Sequence, residues 1–156
     1  MRVSYCCMKN IGSLIKEHNA KILNTNKIDE KPCNCKKRNC PLQDTGVSCR
    51  IRNVIYKAEI ETQNSKKYYI GLCETEFKQR YANHVSSIKR GTKATLLSSY
   101  INELKSKSID YKIKWSIIGR TRGLRNGDES CRLCVKEATA ITFADNSCIN
   151  KKKRNC

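Results

Sequence analysis

The chain has 156 residues, 38 % of them hydrophobic, which is enough for one modest core and not for two. Lys and Arg number 32 against 14 Asp and Glu, a net charge of +18; an excess of that size opposes compaction unless an anion receives it, and a polyphosphate is the usual receiver. No stretch approaches the ~18 apolar residues of a membrane span, and Met1–Lys9 lacks the apolar run of a secretory leader. The expected compartment is therefore reducing, and there the eleven cysteines, an odd number, point to metal more than to disulfides.

Three parts follow one another. In residues 1–30, Ile11, Leu14, Ile15, His18 and Ile22 recur at helical spacing and predict a short amphipathic helix, with a polar linker behind it. Residues 31–52 hold Cys33, Cys35, Cys40 and Cys49 in a short basic segment that offers little core and needs a metal or a neighbour to be ordered.

Residues 53–156 read as an α+β domain. Val54, Tyr56, Ala58 and Ile60 alternate with Ile55, Lys57, Glu59 and Glu61, which predicts a strand. Gln63–Lys66 is turn chemistry, and Lys67–Leu72 is the second strand of a hairpin, with Gly71 marking a close backbone approach or a bulge. Thr75 can cap a helix carrying Phe77, Tyr81, His84, Val85 and Ile88, which Gly91 ends. Leu96, Leu97, Tyr100, Ile101 and Leu104 form another helix. Tyr111, Ile113, Trp115 and Ile117 then face one side of a strand and Lys112, Lys114 and Ser116 the other. After a Gly- and Arg-rich loop, a last helix starts near Cys131 and carries Cys134, Ala138 and Ile141 on one stripe. The order predicts a three-stranded antiparallel sheet flanked by helices.

Basic residues are spread along the whole chain, as suits a surface that follows a nucleic-acid backbone; Lys67, Lys78, Lys89, Arg90, Arg120, Arg122 and Arg125 are the candidate phosphate contacts. Lys151–Arg154 could serve as a nuclear import signal or touch phosphate. Among groups with chemistry, Tyr56 and Tyr69 fall on the two hairpin strands, Arg80 and His84 on one face of the next helix, and Glu137 on the last. Such a set can hydrolyse a phosphodiester: a carboxylate holds a divalent ion, a Tyr or His takes the proton of water, and an Arg meets the charge building on phosphorus. Taken singly, each has a plain structural reading as packing, core histidine or ion-pair partner.

Val54-Ile55-Tyr56, twelve residues, then Tyr69-Ile70-Gly71 resembles the paired motif of the GIY-YIG nucleases, with Val54 in place of the first Gly. Phe77–His84 resembles that family's catalytic helix. More narrowly, Cys33-Asn34-Cys35, Cys40-Pro41-Leu42, Cys49, Tyr100–Lys105, Ile113-Lys114-Trp115 and Cys131-Arg132-Leu133-Cys134 resemble the C-terminal endonuclease of Penelope-like retroelements, and Val3–Met8 the tail of the polymerase part before it. The resemblance implies a GIY-YIG fold and a DNA endonuclease whose nick primes reverse transcription, with DNA, and RNA in that setting, as partners. It implies that Tyr56 and Tyr69 position or deprotonate the water, with His84 as another base. It further implies that Arg80 stabilises the transition state, that Glu137 binds Mg²⁺ or Mn²⁺, and that Asn150 supports the site. No polymerase catalytic region is present, so the chain is expected to be a fragment or a stand-alone descendant, and dependence on the missing part is a further expectation.

The cysteines leave alternatives open. Cys33, Cys35, Cys40 and Cys49 lack the paired spacing of a regular zinc ribbon, whereas Cys131 and Cys134 form one such pair. A structural Zn²⁺ could join Cys40 and Cys49 to Cys131 and Cys134, or include His84. The rival to the enzyme is a zinc-containing module that holds nucleic acid without cutting it.

Overall fold

A computed structural model of the chain describes residues 11, 12, 15, 32–35, 40–121 and 132–151. The chain divides into two compact units, Met1–Glu30 and Lys31–Cys156. In the first, residues 11, 12 and 15 are helical, with Ile11 and Ile15 exposed; Leu14, His18 and Ile22 lie outside the described residues. No described helix is long and apolar enough to cross a membrane.

The second unit is α+β. A single 3-10 turn at Gln43–Thr45 precedes strand β1 (Val54–Thr62), β2 (Lys66–Cys73), helix α1 (Phe77–Lys89), α2 (Leu96–Ser106), β3 (Tyr111–Arg120) and α3 (Arg132–Thr142). The three strands form one sheet in the order β2-β1-β3, both pairings antiparallel. β1 is central and the most buried of the three. Its Val54, Tyr56, Ala58 and Ile60 have no exposure, so the alternation read from the sequence puts its apolar side under the helices. Tyr111, Ile113, Trp115 and Ile117 of β3 join the same core, with Phe77 and Ile88 of α1 and Leu97, Ile101 and Leu104 of α2. Burying each such side chain contributes roughly 1.5–3 kcal/mol. The opposite face of the sheet, through Ile55 and Ile70, packs on Leu133 and Cys148 with Ala140 and Ile141 at the margin.

Three expectations are corrected. Thr75 does not cap α1: the N-cap is Glu76, whose side chain makes no capping bond. The packed stripe of α3 is Leu133, Ala140 and Ile141, while Cys134 and Ala138 are exposed; both sets recur at helical spacing, and the sheet selects the one with the larger apolar area. The cysteine segment does supply core, since Leu42, Cys49 and Ile51 are buried.

Candidate active site and cysteine cluster

The hairpin register places Tyr56 of β1 opposite Gly71 of β2, and Tyr69 opposite Ala58. A slip in the β1–β3 register between Ile55 and Tyr56 falls beside the same tyrosine. Tyr56 therefore lies across Gly71: a Cβ there would stand 2.5 Å from the Tyr56 hydroxyl oxygen, which only glycine avoids. Arg80 and His84, one turn apart on α1, reach the phenol from above.

Donor and acceptor roles follow from chemistry. The Arg80 guanidinium can only donate, and its Nε–H bonds the Tyr56 oxygen at 3.1 Å. The Tyr56 O–H is then the donor to His84 Nε2 at 2.7 Å, so the imidazole is neutral with its proton on Nδ1. Burial, and then the Arg80 charge, hold the His84 pKa down to about 4, consistent with that tautomer. Burial raises the pKa of Tyr56 against the opposing pull of Arg80. Tyr56 (0 % exposed) and His84 are closed from solvent, packed against Phe77 and Trp115 at ring separations of 5.3 to 5.9 Å.

Tyr69 stands 6.3 Å from Tyr56 and 6.0 Å from His84 between ring centres, at 9 % exposure. Arg80 and Glu137 are each half-buried. Glu137 comes from α3, which packs on β2, with the Leu72 amide near enough to favour its charged form. Burial raises the Glu137 pKa despite the Leu72 amide and the nearby Arg80 charge, and Glu137 in turn acts on Tyr69. Tyr69, Arg80 and Glu137 thus form the outer layer of a polar cluster, with Tyr56 and His84 behind it. Asn150 sits at the outer edge of β2, where its Nδ2 donates to the Ile70 carbonyl at 2.7 Å and its Oδ1 accepts the Ile70 N–H at 3.2 Å. It supports the strand next to Tyr69 and has no bond to the cluster itself.

Gathered elsewhere are Cys33, Cys35, Cys40 and Cys49, whose sulfurs all lie within 4.8 Å of one another. The separations are 3.6 Å for Cys33–Cys40, 3.4 Å for Cys33–Cys49 and 3.5 Å for Cys35–Cys49. Disulfide bonds are far shorter, about 2 Å, and all four are free thiols. Tetrahedral zinc with Zn–S of about 2.3 Å needs sulfurs about 3.8 Å apart. The cluster can therefore hold a metal ion such as zinc. The Cys35 N–H, and then Cys49, donate to the Cys33 sulfur and lower its pKa to about 6, so one thiolate is already favoured.

This grouping corrects two expectations. His84 belongs to the tyrosine cluster, not to the cysteines. Cys134 is disulfide-bonded and joins no group of potential ligands among the described residues; Cys131 lies outside them. The four upstream cysteines lack the paired spacing of a regular ribbon, and it is the folding of their segment that brings them into one group.

The candidate phosphate contacts are dispersed. Lys89 and Arg90 are exposed at the end of α1, with Arg90 held by Ser86. Lys67 lies over the Tyr100 ring at 5.0 Å. Lys78 donates to Asn34 at 2.9 Å, so it fastens the cysteine segment. Arg120 ends β3; Arg122 and Arg125 lie outside the described residues. A cavity of about 590 Å³ between the cysteine segment, α1 and β3 is lined by Cys40, Asp44, Tyr81 and Trp115 among others, and by none of the predicted catalytic groups. Comparison with family models, curated proteins and solved structures returns no match.

Proposed function

We propose that the Lys31–Cys156 unit is a metal-dependent DNA endonuclease of the GIY-YIG type, working in a retroelement setting where a nick primes reverse transcription. The observation that carries this reading is the Arg80–Tyr56–His84 chain of hydrogen bonds, laid across Gly71 beside Tyr69 and Glu137. Packing alone does not require a guanidinium and an imidazole on one buried phenol, since burying polar groups costs free energy unless every one is paired.

In this reading a phosphodiester sits against Arg80 and Glu137, with the attacking water between Tyr69 and the second lone pair of the Tyr56 oxygen. The water oxygen bonds phosphorus as the bond to the leaving oxygen breaks. The water proton passes to Tyr56 while the Tyr56 proton moves to His84 Nε2, so Tyr56 relays and His84 is the terminal base. A pKa near 4 makes His84 a weak base alone; the phosphate charge brought by substrate raises it. Arg80 meets the charge building on the phosphoryl oxygens, and solvent protonates the leaving oxygen. Glu137 fits a divalent ion, because its desolvated charge is relieved by a cation that keeps most of its waters. Such an ion, Mg²⁺ or Mn²⁺, supplies Lewis-acid polarisation of the phosphoryl group when bound. The thiol cluster suits zinc, held structurally and distant from the chemistry.

The test is nicking of supercoiled plasmid with Mg²⁺ or Mn²⁺ by the wild type beside Glu137→Ala and Arg80→Ala. Cleavage by the wild type alone supports the enzyme; equal cleavage by all three sinks the assigned site. The full burial of Tyr56 and His84 favours, as the second reading, a module that holds nucleic acid without cutting it. Tight DNA binding with no cleavage by any of the proteins would establish that reading instead.

A further inference from the structure

The first amides of a helix have no partner inside it and are usually met by a side chain at the N-cap. In α1 the N-cap residue Glu76 makes no such bond. The cysteine loop meets them instead: Phe77 N–H donates to the Ile51 carbonyl at 2.9 Å and Lys78 N–H to the Cys49 carbonyl at 2.7 Å. Glu76 itself is bound by Arg50, whose Nε and Nη2 donate to its two carboxylate oxygens at 3.3 Å each. The Lys78 ammonium reaches Asn34, the residue between Cys33 and Cys35. Cys49 thus belongs to both sites, its sulfur within 3.5 Å of two other thiols and its carbonyl on the helix.

The loop that does this has one 3-10 turn and no other regular structure between Cys40 and Asn53. A segment of that kind is ordered by what its side chains bind. Arg80 and His84 lie within the first two turns above it.

We propose that one zinc ion bound by Cys33, Cys35, Cys40 and Cys49 acts as the cap of α1, so that zinc occupancy sets the position of Arg80 and His84 against Tyr56. The effect on cleavage rests on the endonuclease reading; the effect on the helix does not. Zinc is then a remote requirement of the site, distinct from any ion at Glu137.

Trp115 reports on the helix directly. It is the single tryptophan of the chain, with its ring 5.6 Å from His84, 5.5 Å from Tyr81 and 5.9 Å from Phe77. The experiment uses the full chain, assayed for zinc, then stripped with a zinc-selective chelator while Mg²⁺ is kept in excess. One zinc per chain is expected, and Co²⁺ in its place should give the ligand-field and sulfur charge-transfer bands of a tetrahedral thiolate site. Stripping should raise the access of Trp115 to a soluble quencher, and zinc should reverse it. Plasmid nicking should fall about 10- to 100-fold and return with zinc, as misplacement of catalytic groups by an ångström predicts. Cys33→Ser, which alters an exposed ligand and no core residue, should need added zinc to match the wild type in both readouts. No bound zinc or cobalt, or a stripped protein whose Trp115 is unchanged, overturns the proposal. A Trp115 response without nicking by either form upholds the zinc cap and removes the endonuclease reading.

Discussion

Tyr56 passes over Gly71 so closely that a Cβ at position 71 would stand 2.5 Å from its hydroxyl oxygen, 2.7 Å from its Cζ and 2.9 Å from a ring carbon of Tyr69. The Tyr56 ring cannot yield, because Phe77 and Trp115 pack it at 5.3 and 5.9 Å between ring centres. Gly71→Ala should therefore force the phenol away from His84 and Arg80. The expected cost is about 1–3 kcal/mol of stability, as for an overpacked core, with loss of nicking. Urea unfolding beside the plasmid assay checks both; an alanine variant equal to the wild type in each would show that the phenol does not need this approach.

The buried neutral His84 makes stability depend on pH. Its pKa of about 4 in the folded chain lies below the ordinary 6.5. Between those values the unfolded chain takes up a proton that the folded chain refuses, so folding is progressively disfavoured as pH falls from 6.5 toward 4. The loss approaches its full extent, on the order of 3 kcal/mol, below the lower value and is absent above the upper one. Comparing unfolding free energies of wild type and His84→Gln across this range isolates the contribution. The difference between them should shrink as pH falls; a constant difference would mean that His84 takes up its proton at the same pH in the folded chain as in the unfolded one.

Much of this was legible along the chain, and the failures have physical causes. The alternation in Val54–Glu61 and the helical spacing in Phe77–Ile88 reflect one-sided burial, which leaves a direct imprint on residue order. Arg80 and His84 could be set on one face by spacing alone. Glu137 is harder, because it lies on the packed stripe with Leu133, Ala140 and Ile141, and a charged residue there masks the stripe. Local sequence points to Thr75 as the cap of α1, whereas the partners of its first amides, Cys49 and Ile51, come from another segment. For the same reason spacing leaves the cysteine ligand set open: a loop's closure is a tertiary fact that residue order does not carry.

Asn150 should act through the strand and not on the reacting atoms. Its amide pairs both polar groups of Ile70, beside which the Cys148 segment adds a parallel bridge to Tyr68. Asn150→Ala removes both bonds and leaves the Ile70 groups unpaired, at about 1–3 kcal/mol. Asn150→Asp sets an acceptor against the Ile70 carbonyl and should be no better. Amide exchange at Ile70 should quicken in both, with nicking reduced and not abolished. Complete loss of nicking with unchanged exchange would place Asn150 at the reaction centre.

Glu137 offers a separation of stability from activity. Burial raises its pKa, so the folded chain holds the carboxylate at a penalty that is present once pH exceeds the ordinary value of 4.5. Glu137→Gln removes the desolvated charge and keeps the side chain's size, so at pH 7 the variant should be as stable as the wild type or more so. Added Mg²⁺ should raise the melting temperature of the wild type and leave the variant unmoved, since only a group that binds the ion in the folded state gains from it. Nicking should disappear in the variant. A residue kept for structure would behave in the opposite way, losing stability on substitution while remaining indifferent to the ion. Equal Mg²⁺ shifts in both proteins would remove Glu137 as the ligand.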